Sequence, residues 1–417
     1  MDQPASPPSS GSSRPVSPSP RSGPTLPDLA GDPVALALAL VDTPSVSGEE
    51  TALADAVQAA LAACPHLEVL RDGDTLVART HLGRAERVVV AGHLDTVPVS
   101  RHTANVPGRL EEREGERVLW GRGSVDMKGG VAAILHLAAT LTAPRRDVTW
   151  VLYDHEEVTG DLNGLGRTIA RHPEWVTGDL AVLGEPTGAS IEGGCNGTLR
   201  LVLTVHGRAV HSGRAWRGVN AVHAALPLLA RAAAAPVREV EVEGLTYREG
   251  FSVVKVEAGV AANTVPDECV LTVNYRFAPD LTAAQALARA LAVLDGVAEA
   301  ALPGPDTVVG EVDPSTPLRL AAEAGLGAVN VVVDDLSPAA RPGLDSPLAR
   351  ELVEAGTARG GAVGPKYGWT DVARFSAAGV PAVNLGPGDP MLCHTDDEHC
   401  PTAQVTAVVD VLRSWLG

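Results

Sequence analysis

Three apolar runs in this chain stop abruptly at residues that carry charge or bind metal. Val88-Val-Val-Ala91 leads into Gly92, His93 and Asp95; Asp147 to Tyr153 leads into Asp154-His-Glu-Glu157; Leu180-Ala-Val-Leu183 leads into Gly184 and Glu185. Short apolar runs of this kind, bounded by Gly or Pro, read as buried strands. In an open α/β sheet the carboxyl ends of such strands face the ligand crevice. Residues two apart share a strand face, so His93 and Asp95 point the same way, as a metal ligand and the carboxylate that orients it do. The adjacent pair Glu156 and Glu157 is costly at a strand end unless something cationic lies between the side chains.

Glycines also precede a helical run, Val131 to Thr142, in Leu119-Trp-Gly-Arg-Gly-Ser-Val-Asp-Met-Lys-Gly-Gly130. Neither G-x-G-x-x-G nor the Walker Gly-Lys-Ser/Thr is present, which argues against a phosphate loop. Asp126 instead stands at a helix entrance, free to coordinate. A late segment, Cys393-His-Thr-Asp-Asp-Glu398, adds His394. His136 lies among Leu135, Leu137 and Ala138, where packing accounts for it. His93, Asp126, Glu157, Glu185 and His394 therefore make a set of two imidazoles and three carboxylates, which suits zinc and its neighbours. Two ions about 3.5–4 Å apart, sharing one carboxylate, would use that number of ligands and lower the pKa of a water to roughly 7. Glu156, beside Glu157 but on the other face of the strand end, is the general-base candidate.

At 417 residues the chain is long enough for two cores, and its net charge of −18 gives it no affinity for nucleic acid or an anionic membrane. Five cysteines without a C-x-x-C pair argue for a reducing cytoplasm, and no apolar run approaches the roughly 20 residues of a membrane span. Residues 1–27 are Pro/Ser-rich and are expected to be a disordered tail. A catalytic domain over 28–197 and 336–417 is expected to be interrupted by residues 198–335. Within the interruption, strands and helices follow as β-α-β-β-α-β: Leu199–Val205, Asn220–Ala235, 251–258, 269–277, Thr282–Leu294 and Val329–Val333. That order is the signature of a ferredoxin-like sandwich. The 297–327 stretch, rich in Pro, Gly and Ala, is an insertion before the last strand. Ser47 and Glu50 match a capping box for a helix through Ala63.

The pieces Gly92-His-Leu-Asp-Thr-Val-Pro98, Ser124-Val-Asp-Met-Lys-Gly129, Asp154-His-Glu-Glu157, Gly184-Glu-Pro186 and His394-Thr-Asp-Asp-Glu398 resemble, in order and spacing, the metal-site motifs of the M20 metallopeptidase and deacylase family. The resemblance covers nearly everything after residue 28. It implies an α/β, mixed-sheet zinc-hydrolase domain with an inserted ferredoxin-like dimerisation domain. It also implies two zinc ions per subunit, replaceable by cobalt or manganese. Asp126 would bridge them, with His93 and Glu185 on one, Glu157 and His394 on the other, and a cis Asp126–Met127 peptide. Asp95 would orient His93, Glu156 would carry the proton, and His211 would reach across a homodimer to the second active site. Asn263, Arg276, Thr370 and Gly386 match substrate-binding positions. Segments such as Glu192-Gly-Gly-Cys-Asn-Gly-Thr-Leu-Arg200 and Lys366-Tyr-Gly-Trp-Thr-Asp371 are similar to the family's desuccinylase branch. The expected substrate is thus a small molecule, N-succinyl-LL-2,6-diaminopimelate, with acetylornithine or a dipeptide as the alternative.

Overall fold

The computed structural model describes residues 24–310, 318–320 and 329–417. Its larger sheet has eight strands, in the order Glu68–Asp72, Thr75–Arg79, Asp147–Tyr153, Arg87–His93, Leu180–Leu183, Ala382–Asn384, Ile191–Gly193 and Val363–Pro365. Arg87–His93 runs parallel to both of its neighbours, and Ala382–Asn384 runs parallel to Leu180–Leu183. Four adjacent strands therefore end on one edge of the sheet, with the other sheet members antiparallel or peripheral. Being covered on both faces, the central strand is apolar from Val88 to Gly92. Val88 and Val90 enter the core beneath helices Pro33–Val41, Lys128–Thr140 and Thr402–Leu416, while Val89 and Ala91 enter the opposite core with Leu165 and Phe375. Close approach at the ends of these strands requires glycine. A Cβ on Gly386 would lie 2.1 Å from the Gly184 carbonyl oxygen, and one on Gly130 would lie 2.2 Å from it.

The second sheet is ordered Gly250–Ala258, Glu268–Phe277, Gly197–His206, Val329–Ser337 and Leu318–Leu320, with antiparallel neighbours throughout. Helices Ala221–Ala233 and Ala283–Leu294 pack on one face of it, around Leu199, Leu201, Leu271, Val273 and Phe277. This is the expected sandwich, with one strand added at the edge from inside the 297–327 stretch. The rest of that stretch lies partly outside the described residues. Chain enters and leaves this sheet side by side. The Cys195 and Ala340 backbones exchange two hydrogen bonds of 3.0 Å each, so the outgoing and returning connections form a short two-ply ribbon.

Three expectations need revision or completion. The Ser47–Glu50 capping box does not form. Helix Thr51–Ala62 has Glu50 at its N-cap without a side-chain cap, and the Ser47 hydroxyl donates to Asp95 Oδ2 at 2.7 Å instead. Most of the expected tail lies outside the described residues, but Leu26, within its stated limits, packs on the main core. Two hairpins, Arg109–Arg113 with Glu116–Trp120 and Glu239–Val242 with Leu245–Arg248, were not expected. His136 is satisfied where it lies, its ring nitrogens meeting the Leu29 carbonyl and Arg413. Among the described residues no helix is long and apolar enough to cross a membrane.

Candidate metal centre

The four parallel strand ends bring separate loops to one place. His93 is the last residue of its strand and has no exposed surface. Its Nδ1 lies 3.0 Å from the Asp95 carbonyl oxygen, and its Nε2 lies 3.0 Å from Asp126 Oδ1. A ring that donates through Nδ1 turns an Nε2 lone pair toward a carboxylate. Two acceptors at that distance call for a proton or a metal ion. The Asp95 carboxylate does more than orient the ring. It accepts the backbone N–H groups of Glu156 and Glu157, each at 3.0 Å, so the base candidate and its neighbour hang from the same carboxylate.

Asp126 stands in the loop ahead of helix Lys128–Thr140, and its peptide bond to Met127 is cis. While Oδ1 faces His93, Oδ2 lies 3.4 Å from His394 Nε2, which in turn is 3.1 Å from Glu157 Oε1. Donor atoms of His93, Asp126 and Glu157 all fall within 4.8 Å of one another. Asp126 thus has one oxygen toward each half of the cluster. Glu185 and Glu156 line the same cavity, which measures about 600 Å³.

The electrostatics agree with a site built for cations. Burial pulls the His93 pKa down, but its contacts with Asp126 and Asp95 outweigh that and raise it well above the ordinary value. Contacts with Asp126 and Glu157 raise His394 to about 10. Burial pushes Glu185 up to about 8, and the Asp126 charge adds to the shift. Burial likewise raises Glu157, with Asp126 again adding, and raises Glu156 well above the carboxylate range, with Glu185 and Asp371 adding. Asp95 is held at about 2: burial works against ionisation there, and the His93 and Ser47 contacts more than offset it. Buried carboxylates that crowd one another in this way are ordinarily relieved by a bound cation. His, Asp and Glu donors are the ligand chemistry of zinc and related divalent ions, so the residues fit such a metal.

Sequence reasoning missed the group that holds Asp126. Glu398 is 1% exposed, accepts the backbone N–H groups of Val125 and Asp126 through Oε1 at 3.0 and 3.1 Å, and pairs with the buried Arg122 at 2.7 Å. Only its place at the end of an acidic run could have marked it. Glu398→Gln strands the Arg122 charge and is expected to cost about 3–5 kcal/mol. Urea denaturation measures this, and a loss under about 1 kcal/mol would show that the pair is not what holds the loop.

The other expected site residues are dispersed. Arg276 lines the cavity, together with Thr198, Arg200, Asp334, Asp335, Ser337, Trp369 and Arg374. Of these, Thr198, Arg200, Trp369 and Arg374 lie in or beside the segments likened to the desuccinylase branch but had no site role assigned, and Asp334, Asp335 and Ser337 were in no motif. Thr370 and Gly386 are buried behind it: the Thr370 hydroxyl donates to Asn384 Oδ1 at 2.9 Å, and the Gly386 N–H donates to Thr187 Oγ1 at 3.1 Å. His211 and Asn263 sit away from the cavity, on the paired strands Val210–His211 and Thr264–Val265 and the turn before the second. The His211 side chain is exposed and, among the described residues, accepts only the Gly213 N–H, at 3.1 Å.

Residues 89–417 match the model of peptidase family M20/M25/M40. A succinyl-diaminopimelate desuccinylase of Corynebacterium glutamicum is 41% identical over 395 residues, which cover 94% of this chain and 97% of that protein. A Mycobacterium tuberculosis protein that carries the same name provisionally is 46% identical over 391 residues, covering 94% and 99%. Among solved structures, a Staphylococcus aureus tripeptidase superposes with a TM-score of 0.70 at 17% identity, covering 93% of this chain and 97% of its own. A dinuclear metal-binding M20 peptidase of Bacillus subtilis superposes at 0.64 and 15% identity, covering 93% and 97%. At such identities the structural likeness speaks for the fold.

Proposed function

The chain belongs to peptidase family M20/M25/M40, and from that premise we propose that it hydrolyses N-succinyl-LL-2,6-diaminopimelate to succinate and LL-2,6-diaminopimelate. The observation that carries the choice of substrate is a cavity shared by the metal-ligand cluster and three guanidiniums, Arg200, Arg276 and Arg374. The substrate has three carboxylates and one ammonium. Acetylornithine and a simple dipeptide each have one carboxylate and so match fewer of these guanidiniums, among which Arg200 and Arg374 also pair with Asp334 and Asp371 and Arg276 has no ion pair among the described residues.

In this reading His93, Asp126 and Glu185 hold one divalent ion, and Asp126, Glu157 and His394 hold a second, zinc being the ion that best suits the donors. Bound there, the pair supplies Lewis-acid polarisation of the amide carbonyl and a more acidic water. Glu156 accepts the proton of the attacking water and returns it to the leaving amine. Burial and the neighbouring carboxylates raise the Glu156 pKa; cations bound to those neighbours would oppose that shift and favour the carboxylate form that a base needs. Asp95 fixes the Glu156 backbone and the His93 ring together. Arg276, whose guanidinium makes no ion pair among the described residues, is free to bind a substrate carboxylate bidentately. We further propose a homodimer in which His211 supplies an oxyanion donor to the second copy's site. Five unpaired cysteines suit a reducing cytoplasm.

The test is parallel turnover of N-succinyl-LL-2,6-diaminopimelate and N-acetylornithine, with metal analysis of the same preparation. The expected outcome is two ions per chain, loss of activity on chelation, and kcat/KM at least about 10²-fold higher for the succinyl substrate. Equal turnover of the two would overturn the choice of substrate.

A further inference from the structure

On the second sheet's helix-free face, side chains from three neighbouring strands stand in two rows. Arg276, Thr198 and Ser337 are cross-strand partners, and so are Asn274, Arg200 and Asp335. The opposite face carries Leu199, Leu201, Tyr275 and Phe277 into the core. Strand Val329–Ser337 is irregular between Val333 and Asp335, so Asp334 has no register partner. In a regular strand successive side chains point to opposite faces, and a bulge re-aims one of them. Here both Asp334 and Asp335 line the cavity. The irregularity also changes the pairing. Arg200 stands opposite Asp335 in register, yet its guanidinium binds Asp334. Asp335 is left with the Ser337 hydroxyl at 3.1 Å and no ion pair among the described residues.

A carboxylate that makes no ion pair, with Arg276 near it but not in contact, beside a guanidinium held by a different carboxylate, fits a ligand group that carries both charges. We infer that Asp335 and Arg200 form the subsite for an α-amino acid head group, the distal end of the substrate, with Asp335 taking its ammonium and Arg200 its carboxylate. This rests on the desuccinylase reading and extends it, giving Asp335 a part and Arg200 one particular carboxylate of the three. Asp334 is the positioning residue, keeping the Arg200 fork turned toward the cavity. Because the two charges are read from two adjacent strands, the subsite distinguishes a free amino acid head from a plain carboxylate or a plain amine. Asn274 and Thr198, beside Arg200 and Arg276, add only neutral polar groups to the platform.

Two truncated substrates test this. N-succinyl-2-aminopimelate lacks the distal ammonium, and N-succinyl-lysine lacks the distal carboxylate. A charge-assisted hydrogen bond is worth about ten- to hundred-fold in kcat/KM, and wild type is expected to prefer the full substrate to each analogue by that factor. In Asp335→Asn the preference over the aminopimelate analogue should fall to about one, through KM on the full substrate. In the same variant, kcat/KM for the analogue itself should stay within about threefold of wild type. Arg200→Gln should abolish the preference over the lysine analogue in the same way. An equal fall on full and truncated substrates would mean that Asp335 has a structural role, and an unchanged preference would mean that the ammonium binds elsewhere; either overturns the inference. Failure of wild type to hydrolyse the full substrate is a different result, and overturns the desuccinylase reading itself.

Discussion

Glu156→Gln is expected to lower kcat by about 10²–10⁴-fold while both metal ions stay bound, because the amide keeps the shape of the side chain and loses its capacity to take a proton. The backbone at this point is fixed independently of the side chain, by Asp95, so the substitution should not displace its neighbour. Glu157→Gln should act differently. Its carboxylate faces His394 at 3.1 Å within the ligand cluster, and its loss should lower metal occupancy, with activity returning in part at high metal concentration. Metal content measured beside single-turnover rates separates the two. Equal loss of metal in both variants would reverse their assignments.

A second large effect concerns His211. Loss of an oxyanion donor costs about 10²–10³-fold in rate. This imidazole is exposed and absent from the lining of its own chain's cavity, so within one copy it has no substrate to act on. If each site needs Glu156 from one copy and His211 from the other, homodimers of Glu156→Gln and of His211→Ala are both nearly inactive. A mixed dimer has one site with both residues intact. Random equal mixing makes about half the dimers mixed, so activity should return to roughly a quarter of wild type. Isolated mixed dimers as inactive as their parents would show that His211 does not work across an interface.

Parts of the molecule that obey a local rule were legible in the sequence. A strand covered on both faces is predominantly apolar, so Val88–Ala91 and Leu180–Leu183 appear as uninterrupted Val, Ala and Leu and Asp147–Tyr153 as a mostly apolar run, and the ligand-type residues mark where each one stops. Helix Ala283–Leu294 carries its own start signal, a capping box between Thr282 and Gln285. The same pattern at Ser47 and Glu50 misled, because a partner 48 residues away, Asp95, takes the hydroxyl. The two missed hairpins turn on Glu114-Gly115 and Glu243-Gly244, with positive φ at all four residues. Glycine marked those turns, but glutamate is an unusual companion there, and the flanking strands are too charged to show as apolar alternation. Glu398 and Asp335 were hidden for a common reason. Each is defined by residues brought beside it only in the fold: Arg122 and Asp126 for the first, Arg200 and a strand irregularity for the second.

The two-ply ribbon at Cys195 and Ala340 has a mechanical consequence. His93, Glu157, Glu185 and His394 follow strands of the larger sheet, and Asp126 stands ahead of a helix packed on it, whereas Arg200, Arg276, Asp334 and Asp335 all stand on the smaller sheet. Two separate tethers would let one sheet twist and slide against the other. Tethers laced to each other, with the Tyr247 hydroxyl on the Gly193 carbonyl and Arg341 paired to Glu243 beside them, hold the two sheets at a set spacing. The cavity is then like a pair of calipers locked at one setting, with the metal-ligand residues on one jaw and the charged platform on the other. What such an instrument gauges is the span from the amide to the far end of the molecule between its jaws.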